Sequence, residues 1–560
     1  MPPPPPPSAT KRSALHSVAI VVLCTAAMVV NNANNTYVSI SLPTIGRELY
    51  AQEVALQWLV SAYPLSSGCL LLFFGRLADI YGRKNAFLLG SAFLAIFTLA
   101  CGFAQDEITL AVLRGIQGIG GAATIPASLG ILAQAFPPSR ARSAAFATFA
   151  AGAPVGGAVG MVIGGVLTEL TRYTWRSVFF LAAGLSLAAM IGGAFAFDAD
   201  ERSTDLDQRV DWLGAALVSA GLVLVVFVLG QGELATDGWK SPYIIVCLIL
   251  GLFFLILFVR WQMRLERMHP LMPVQPPLAS DANTVIHPIE SAPSSPASRG
   301  SMQLISWAHT YTPPPLMRPG LFARARGRVG VMYGIAILQY AAFMGWSFWI
   351  VLYYQSYIGY SPLRAVVRLV PMPICGLLCN VLVALIVGRI PVLWLIASGL
   401  TLTSTAALLF ALVDPAATYW AFGFPATVCS VVGADFVFAT GTLFVASVSA
   451  PGEQSVAGGV FQTMTQLGTS LGVTISTIVF NRIKKRIEGR GPPPQDMLPA
   501  YKDTMWTCFA FGMCATLMSL VFFRGLGTVG HPGRVEKIDA DVDEKAGGEM
   551  ERDEPEATVR

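Results

Sequence analysis

"GRLADIYGRK", Gly75 to Lys84, stands between two long apolar runs, near 56–75 and 86–104. Its two glycines permit a tight turn and close approach of the flanking segments. Asp79, Arg83 and Lys84 gather charge where those segments leave the apolar phase. A helix needs ~20 apolar residues to cross ~30 Å of hydrocarbon, so the stretch reads as a loop joining two membrane helices.

The rest of the chain repeats that alternation. Of its 560 residues 54% are hydrophobic and 12% charged, against ~25% charged in soluble domains. This predicts an all-α polytopic membrane protein. The apolar blocks are rich in Gly and Ala, as closely packed membrane helices are, and the short alternating segments of a membrane barrel are missing. The nine cysteines fall in these blocks. Cys375 and Cys379 form a CxxxC with no His or further Cys beside it, and read as buried apolar residues rather than disulfides or metal ligands. The start, "MPPPPPPSATKR", is not the pattern of a cleavable signal peptide.

Fourteen helices are predicted, near 15–39, 56–75, 86–104, 108–135, 143–168, 175–197, 212–230, 242–260, 329–352, 364–388, 392–413, 419–448, 455–480 and 503–524. They group as 6 + 2 + 6. A disordered N-terminus (1–14) precedes a six-helix bundle (15–200), two inserted helices (201–260) and a Pro/Ser-rich disordered loop (261–327). A second six-helix bundle (328–525) and an acidic disordered tail (526–560) follow. Residues 535–560 carry a net charge of −6 in a chain of +4; the tail reads as a solvated segment, with a regulatory role as the alternative. Basic residues, among them Lys11, Arg76, Arg83, Lys84, Arg140, Arg264 and Arg328, share one side if both termini are cytoplasmic. One loop disagrees: "NRIKKRIEGRGPPPQ", after helix 13, has five basic residues and would face outward.

The Gly75–Lys84 stretch resembles the loop 2–3 signature of the major facilitator superfamily, G-x-L-A-D-x-x-G-R-K, with Gly75, Asp79, Gly82 and Arg83 at its key positions. "LRGIQGIGGAA", from Leu113, resembles the helix 4 motif of that superfamily. "VDWLGAAL", "DGWKSP" and "YYQSYIGYSPL" resemble segments of its fourteen-helix drug:proton antiporter branch. The resemblance implies two six-helix bundles rocking around a central site, a proton gradient as energy source in place of a cofactor, and small organic molecules as substrates. Two positions depart from the branch. Where helix 1 usually has an Asp, "ANNTYVSISLP" has Asn34; where helix 5 usually reads G-P-x-x-G-G, "GMVIGG" (Gly160, Gly164, Gly165) has Met161.

Superfamily members line the cavity with the first helix of each three-helix repeat, here 1, 4, 9 and 12. Most deep polar groups fall on those helices: Asn31, Asn34 and Asn35 share a face of helix 1, and helix 4 has Arg114 and Gln117. Helix 9 has Gln339, Phe343 and Trp346 at i, i+4, i+7, and helix 12 has Asp435. Arg114 is expected near the helix 1 amides. Asp435 is the carboxylate placed deep in the bilayer, and since Asn34 cannot titrate it is the candidate proton carrier. For each there is a plainer reading: Arg114 ties helix 4 to its neighbours, Asp435 is a helix–helix hydrogen-bond partner, and the helix 9 aromatics are ordinary packing.

No G-x-x-x-x-G-K-[ST] stretch occurs, which disfavours an ATP-driven pump, and no catalytic constellation stands out among the five histidines, so an enzyme is not expected. The sequence reading is a secondary active exporter of small organic molecules, such as toxins, drugs or secondary metabolites. Its setting is expected to be the plasma or vacuolar membrane, as a monomer, with the lipid bilayer and a small-molecule substrate as partners and no nucleic acid. The alternatives are a facilitator or uptake carrier for a small polar solute or ion, and a non-transporting receptor or scaffold.

Overall fold

The computed structural model describes residues 14–51, 53–136, 140–200, 209–232, 235, 238–269, 313–449, 454–489 and 496–528. The expected disordered N-terminus, most of the Pro/Ser-rich loop and the acidic tail lie outside these residues. The N-terminal half holds α1 (Ala14–Glu48), α2 (Glu53–Tyr81), α3 (Arg83–Gly102), α4 (Glu107–Ala135), α5 (Arg140–Leu170) and α6 (Arg176–Ala196). α7 (Trp212–Gln231) and α8 (Pro242–Met268) follow. The C-terminal half holds α9 (Arg328–Leu352), α10 (Pro362–Leu369 and Pro371–Ile386, one span parted at Val370), α11 (Val392–Ala411), α12 (Tyr419–Val448), α13 (Gln454–Glu488) and α14 (Leu498–Phe522). Thirteen of these are long and apolar enough to cross a membrane. The fourteenth, α13, is 35 residues long but rich in Thr, Ser, Gln and Gly, and many of its hydroxyls are buried against neighbouring helices.

Several boundaries differ from the sequence expectation. α1 runs to Glu48, past Pro43, because its last turns are buried. α8 runs to Met268, held by Asp211, which caps α7 through the Gly214 N–H at 2.8 Å and accepts from Trp261 Nε1 at 2.9 Å and Gln262 Nε2 at 2.6 Å. At the far end of the loop, Gly320 N donates to Glu266 Oε2 at 3.1 Å, so the loop is ordered at both ends. The basic stretch after helix 13 is corrected too: Arg482 to Arg486 are the last turns of α13, where cations complement the helix dipole. α9 continues as a π turn, Tyr353–Tyr357, a departure often found where a helix meets a functional contact.

Within the N-terminal half α1 packs on α5, α2 on α4, and α3 on α4 and α6; within the C-terminal half α9 packs on α13 and α14, and α11 on α12 and α14. The halves meet along α2–α13 and α5–α10, and α7 leans on α2 and α13. Apolar contacts are unevenly shared between the two membrane faces. Toward the face where α1 ends (the far face), one continuous cluster joins both halves, from Tyr37, Ile40 and Trp175 to Trp349, Val366 and Tyr501. Toward the face where α1 begins (the near face), the contacts divide into one cluster per half. There Leu72 of α2 is the residue that leans across to the other half.

Candidate functional site

At the near face the Gly75–Lys84 stretch, expected as a loop, is a charged joint of which only Gly82 lies outside a helix, since α2 runs on to Tyr81 and α3 starts at Arg83. Asp79 and Arg83 pair at 3.0 Å across one helical turn, and Arg83 Nη1 also donates to Gly130 O on α4 at 3.1 Å. Gly82 has φ 105°, open to glycine and strained for other residues. Its bare face receives Asp200, whose carboxylate accepts from the Lys84 and Asn85 N–H groups at 2.8 and 3.0 Å. Asp200 therefore caps α3 and ties the end of α6 to the loop. Sequence reasoning missed it, since nothing in "FDADERSTD" sets one acid above another. A methyl group at Gly75 would meet Pro126 Cβ at 3.5 Å, an ordinary contact.

The helix 5 glycines do two jobs. A methyl group at Gly160 would lie 2.7 Å from Ala33 Cα, and one at Gly164 2.9 Å from Tyr37 Cα, so both let α5 lie directly on the α1 backbone. A methyl at Gly165 would instead lie 2.5 Å from Val366 Cγ2 on α10, across the seam between the halves. Met161 is buried in the joint far-face cluster. Two polar bridges cross the same seam: Gln355 Nε2 in the π turn donates to Ile40 O at 2.8 Å, and Glu169 Oε2 accepts from Leu363 N at 2.8 Å, near the start of α10.

Arg114 and the helix 1 amides come together as a buried network inside the N-terminal half. Arg114 Nε donates to Leu59 O at 3.1 Å and Nη1 to Gln117 Oε1 at 2.7 Å. Gln117 Nε2 donates to Asn34 Oδ1 at 3.2 Å and to Thr98 Oγ1 at 2.6 Å. The Tyr37 hydroxyl also donates to Asn34 Oδ1, and the Arg114 guanidinium lies 4.8 Å from the Tyr63 ring centre. Arg114, Gln117, Asn31 and Asn34 are fully or nearly fully buried, so in this conformation they sit in the bundle interior and not on an open wall. Asn35 is only partly buried, and Asn32 bonds its own helix, at Met28 O. Thr98 and Tyr63 complete the network. They carry no signal in sequence, being ordinary residues of apolar helices.

The helix 9 set divides likewise. Gln339 donates to Thr403 on α11 at 2.7 Å, and Trp346 meets Phe410 edge-on at 6.0 Å; both are fully buried in the C-terminal half. Phe343 is partly open and lies beside Tyr340. Asp435, near the middle of α12, is partly buried and accepts from Asn380 Nδ2 on α10 at 3.2 Å. Beside them is Gly376, where an added methyl would lie 3.1 Å from Val431 Cγ1, 3.4 Å from Asp435 Oδ2 and 3.5 Å from Pro154 Cβ on α5. Asp435 thus lies next to the seam between the halves. Asn380 had a readable signal, as the one amide in the apolar stretch 371–386.

The family model that matches is the Major Facilitator Superfamily, over residues 23–211 and again over 207–473. The chain belongs to the major facilitator superfamily. An efflux pump, terG, of Aspergillus terreus is 27% identical over 83% of this chain and 79% of its own length. A low affinity ammonium transporter of Saccharomyces cerevisiae is 27% identical over 76% of this chain and 74% of its own. A solved auto-inhibited POT family peptide transporter covers 90% of the chain and 96% of its own with a TM-score of 0.59 at 15% identity, a likeness of fold alone. Fourteen long helical spans among the described residues and an efflux-pump relative agree with the fourteen-helix drug:proton antiporter branch that the motifs resemble.

Proposed function

We propose that this superfamily member exports small organic molecules, coupled to proton entry, by rocking its two halves about the central seam. The observation that carries the reading is Asp435. A carboxylate can gain and lose a proton, an amide cannot, and this carboxylate sits at mid-membrane beside the α5–α10 contact with Asn380 as its side-chain partner. A charge change there acts where the halves must separate. The efflux-pump relative supports export of organic molecules. The reading takes both termini as cytoplasmic, which the basic residues of the near face support, in the plasma membrane or a vacuolar membrane.

The test uses proteoliposomes holding the full chain, an imposed pH gradient and a panel of apolar fluorescent dyes. Wild type accumulates a dye against its gradient only with the pH gradient present, and D435N equilibrates it without accumulation. Coupling that survives in D435N sinks the assignment.

A second reading is favoured by Asn34 and Met161, which replace the branch's usual Asp and Pro, and by the ammonium transporter relative. It is a facilitator for a small polar solute. Uptake of labelled methylammonium that ignores the pH gradient, with no dye movement, would decide for it.

A further inference from the structure

We infer that the interior of the N-terminal half, around Arg114, binds a small monovalent inorganic anion, chloride under ordinary conditions. Arg114 is fully buried, and among the described residues no carboxylate lies within ion-pair distance of it. A lone buried guanidinium inside a membrane protein is costly, and buried charges are as a rule paired. The Tyr63 ring face offsets part of that cost.

The hydrogen-bond inventory is one-sided. Gln117 Oε1 is taken by Arg114, and Asn34 Oδ1 by both Gln117 and Tyr37. What remains is Arg114 Nη2, which has no partner, and a group of Asn31 Nδ2, Asn34 Nδ2 and the Tyr63 hydroxyl in which the Tyr63 oxygen can accept from the two amides while its own proton is left without an acceptor, all of them buried. Two of them converge: a methyl on Gly121 would lie 2.4 Å from Tyr63 Oη and 2.8 Å from Asn31 Nδ2. Leftover donors around an unpaired positive charge call for a negatively charged, acceptor-only partner. A water molecule would satisfy donors but bring no charge. A carboxylate on a transported solute has the right chemistry, yet Arg114 is sealed from the seam, so a free ion is the occupant.

The experiment uses the full-length protein in detergent, exchanged into sodium gluconate and titrated with sodium chloride at constant ionic strength. Wild type should show a saturable rise in Tm, on the order of 2 °C at saturation, and equilibrium dialysis should find one labelled chloride per chain. N34D carries its own carboxylate, so it should bind no chloride and show no chloride-dependent shift. A wild-type Tm that ignores chloride, with no bound ion, overturns the inference in favour of internal water. Equal chloride binding by N34D overturns the location.

Discussion

Gly165→Ala tests how the two halves are held. The added methyl would lie 2.5 Å from Val366 Cγ2 and 3.4 Å from Pro362 O. Valine in a helix has one strongly preferred rotamer, so it cannot swing aside cheaply. The strain must be met by parting α5 from α10, at an overpacking cost of about 1–3 kcal/mol. The contact exists only while the far face is closed, so the cost falls on that conformer alone and shifts its population by about 5- to 150-fold. The Leu363 N–H, held by Glu169 across the seam, reports the opening. Hydrogen exchange of the 355–366 segment should accelerate by that factor in G165A. Val366→Ala in the same chain should return the rate toward wild type, because it removes the methyl that clashes. Unchanged exchange in a folded G165A protein would refute the claim that this seam closes the far face. Gly164→Ala is the control: its methyl meets Tyr37 backbone within the N-terminal half, so it should lower Tm and leave exchange at 355–366 alone.

Asp200→Ala removes the acceptor for two N–H groups at the start of α3, and should lower stability by about 0.5–2 kcal/mol in thermal unfolding; no shift would show the cap to be solvent-satisfied. Gln355→Ala deletes the bond to Ile40 O and should raise hydrogen exchange in the π turn; unchanged exchange would show that the bond does not hold the seam. Asp106 caps α4 through the Thr109 N–H and hydroxyl, which hold its carboxyl below the usual carboxylate range. Its contribution is thus complete above the unfolded value of 3.8 and is lost as pH falls through the lower folded value. D106N should flatten the acid limb of a Tm-versus-pH curve, and an unchanged limb would refute the assignment.

The helices were legible because lipid leaves a chain few choices: each span shows as an apolar block, and the glycine-and-charge loop at Gly75–Lys84 supplied the family. α13 was harder to delimit, since its hydroxyls dilute hydropathy and its basic end resembles a loop. The individual candidates Arg114, Gln117, Asn34 and Asp435 could be named because polar groups are rare at that depth. Which way each faces could not be read. Whether a polar residue of a membrane helix points into its own bundle or toward the seam depends on helix rotation, fixed here by contacts such as Gly160 on Ala33 that leave no mark on hydropathy. Asp200, Gln355 and Glu169 escaped notice for another reason: they sit at helix ends, where polar residues are common and their partners come from distant stretches of chain.

The uneven apolar contacts have a kinetic meaning. The far-face layer joins the halves, and a smaller cluster of Leu65 and Cys69 with Leu467 joins them along α2–α13, while the near-face contacts fall mainly into two separate cores. In this conformation the tighter apolar closure lies at the far face. In the orientation proposed here, the solute the carrier meets first is one already inside the cell. Turning outward then requires a solute or a proton to favour the opposite conformer by more than that layer's cohesion. A carrier that rests in this conformer would have its turnover set by the cytoplasmic concentration of solute rather than the external one.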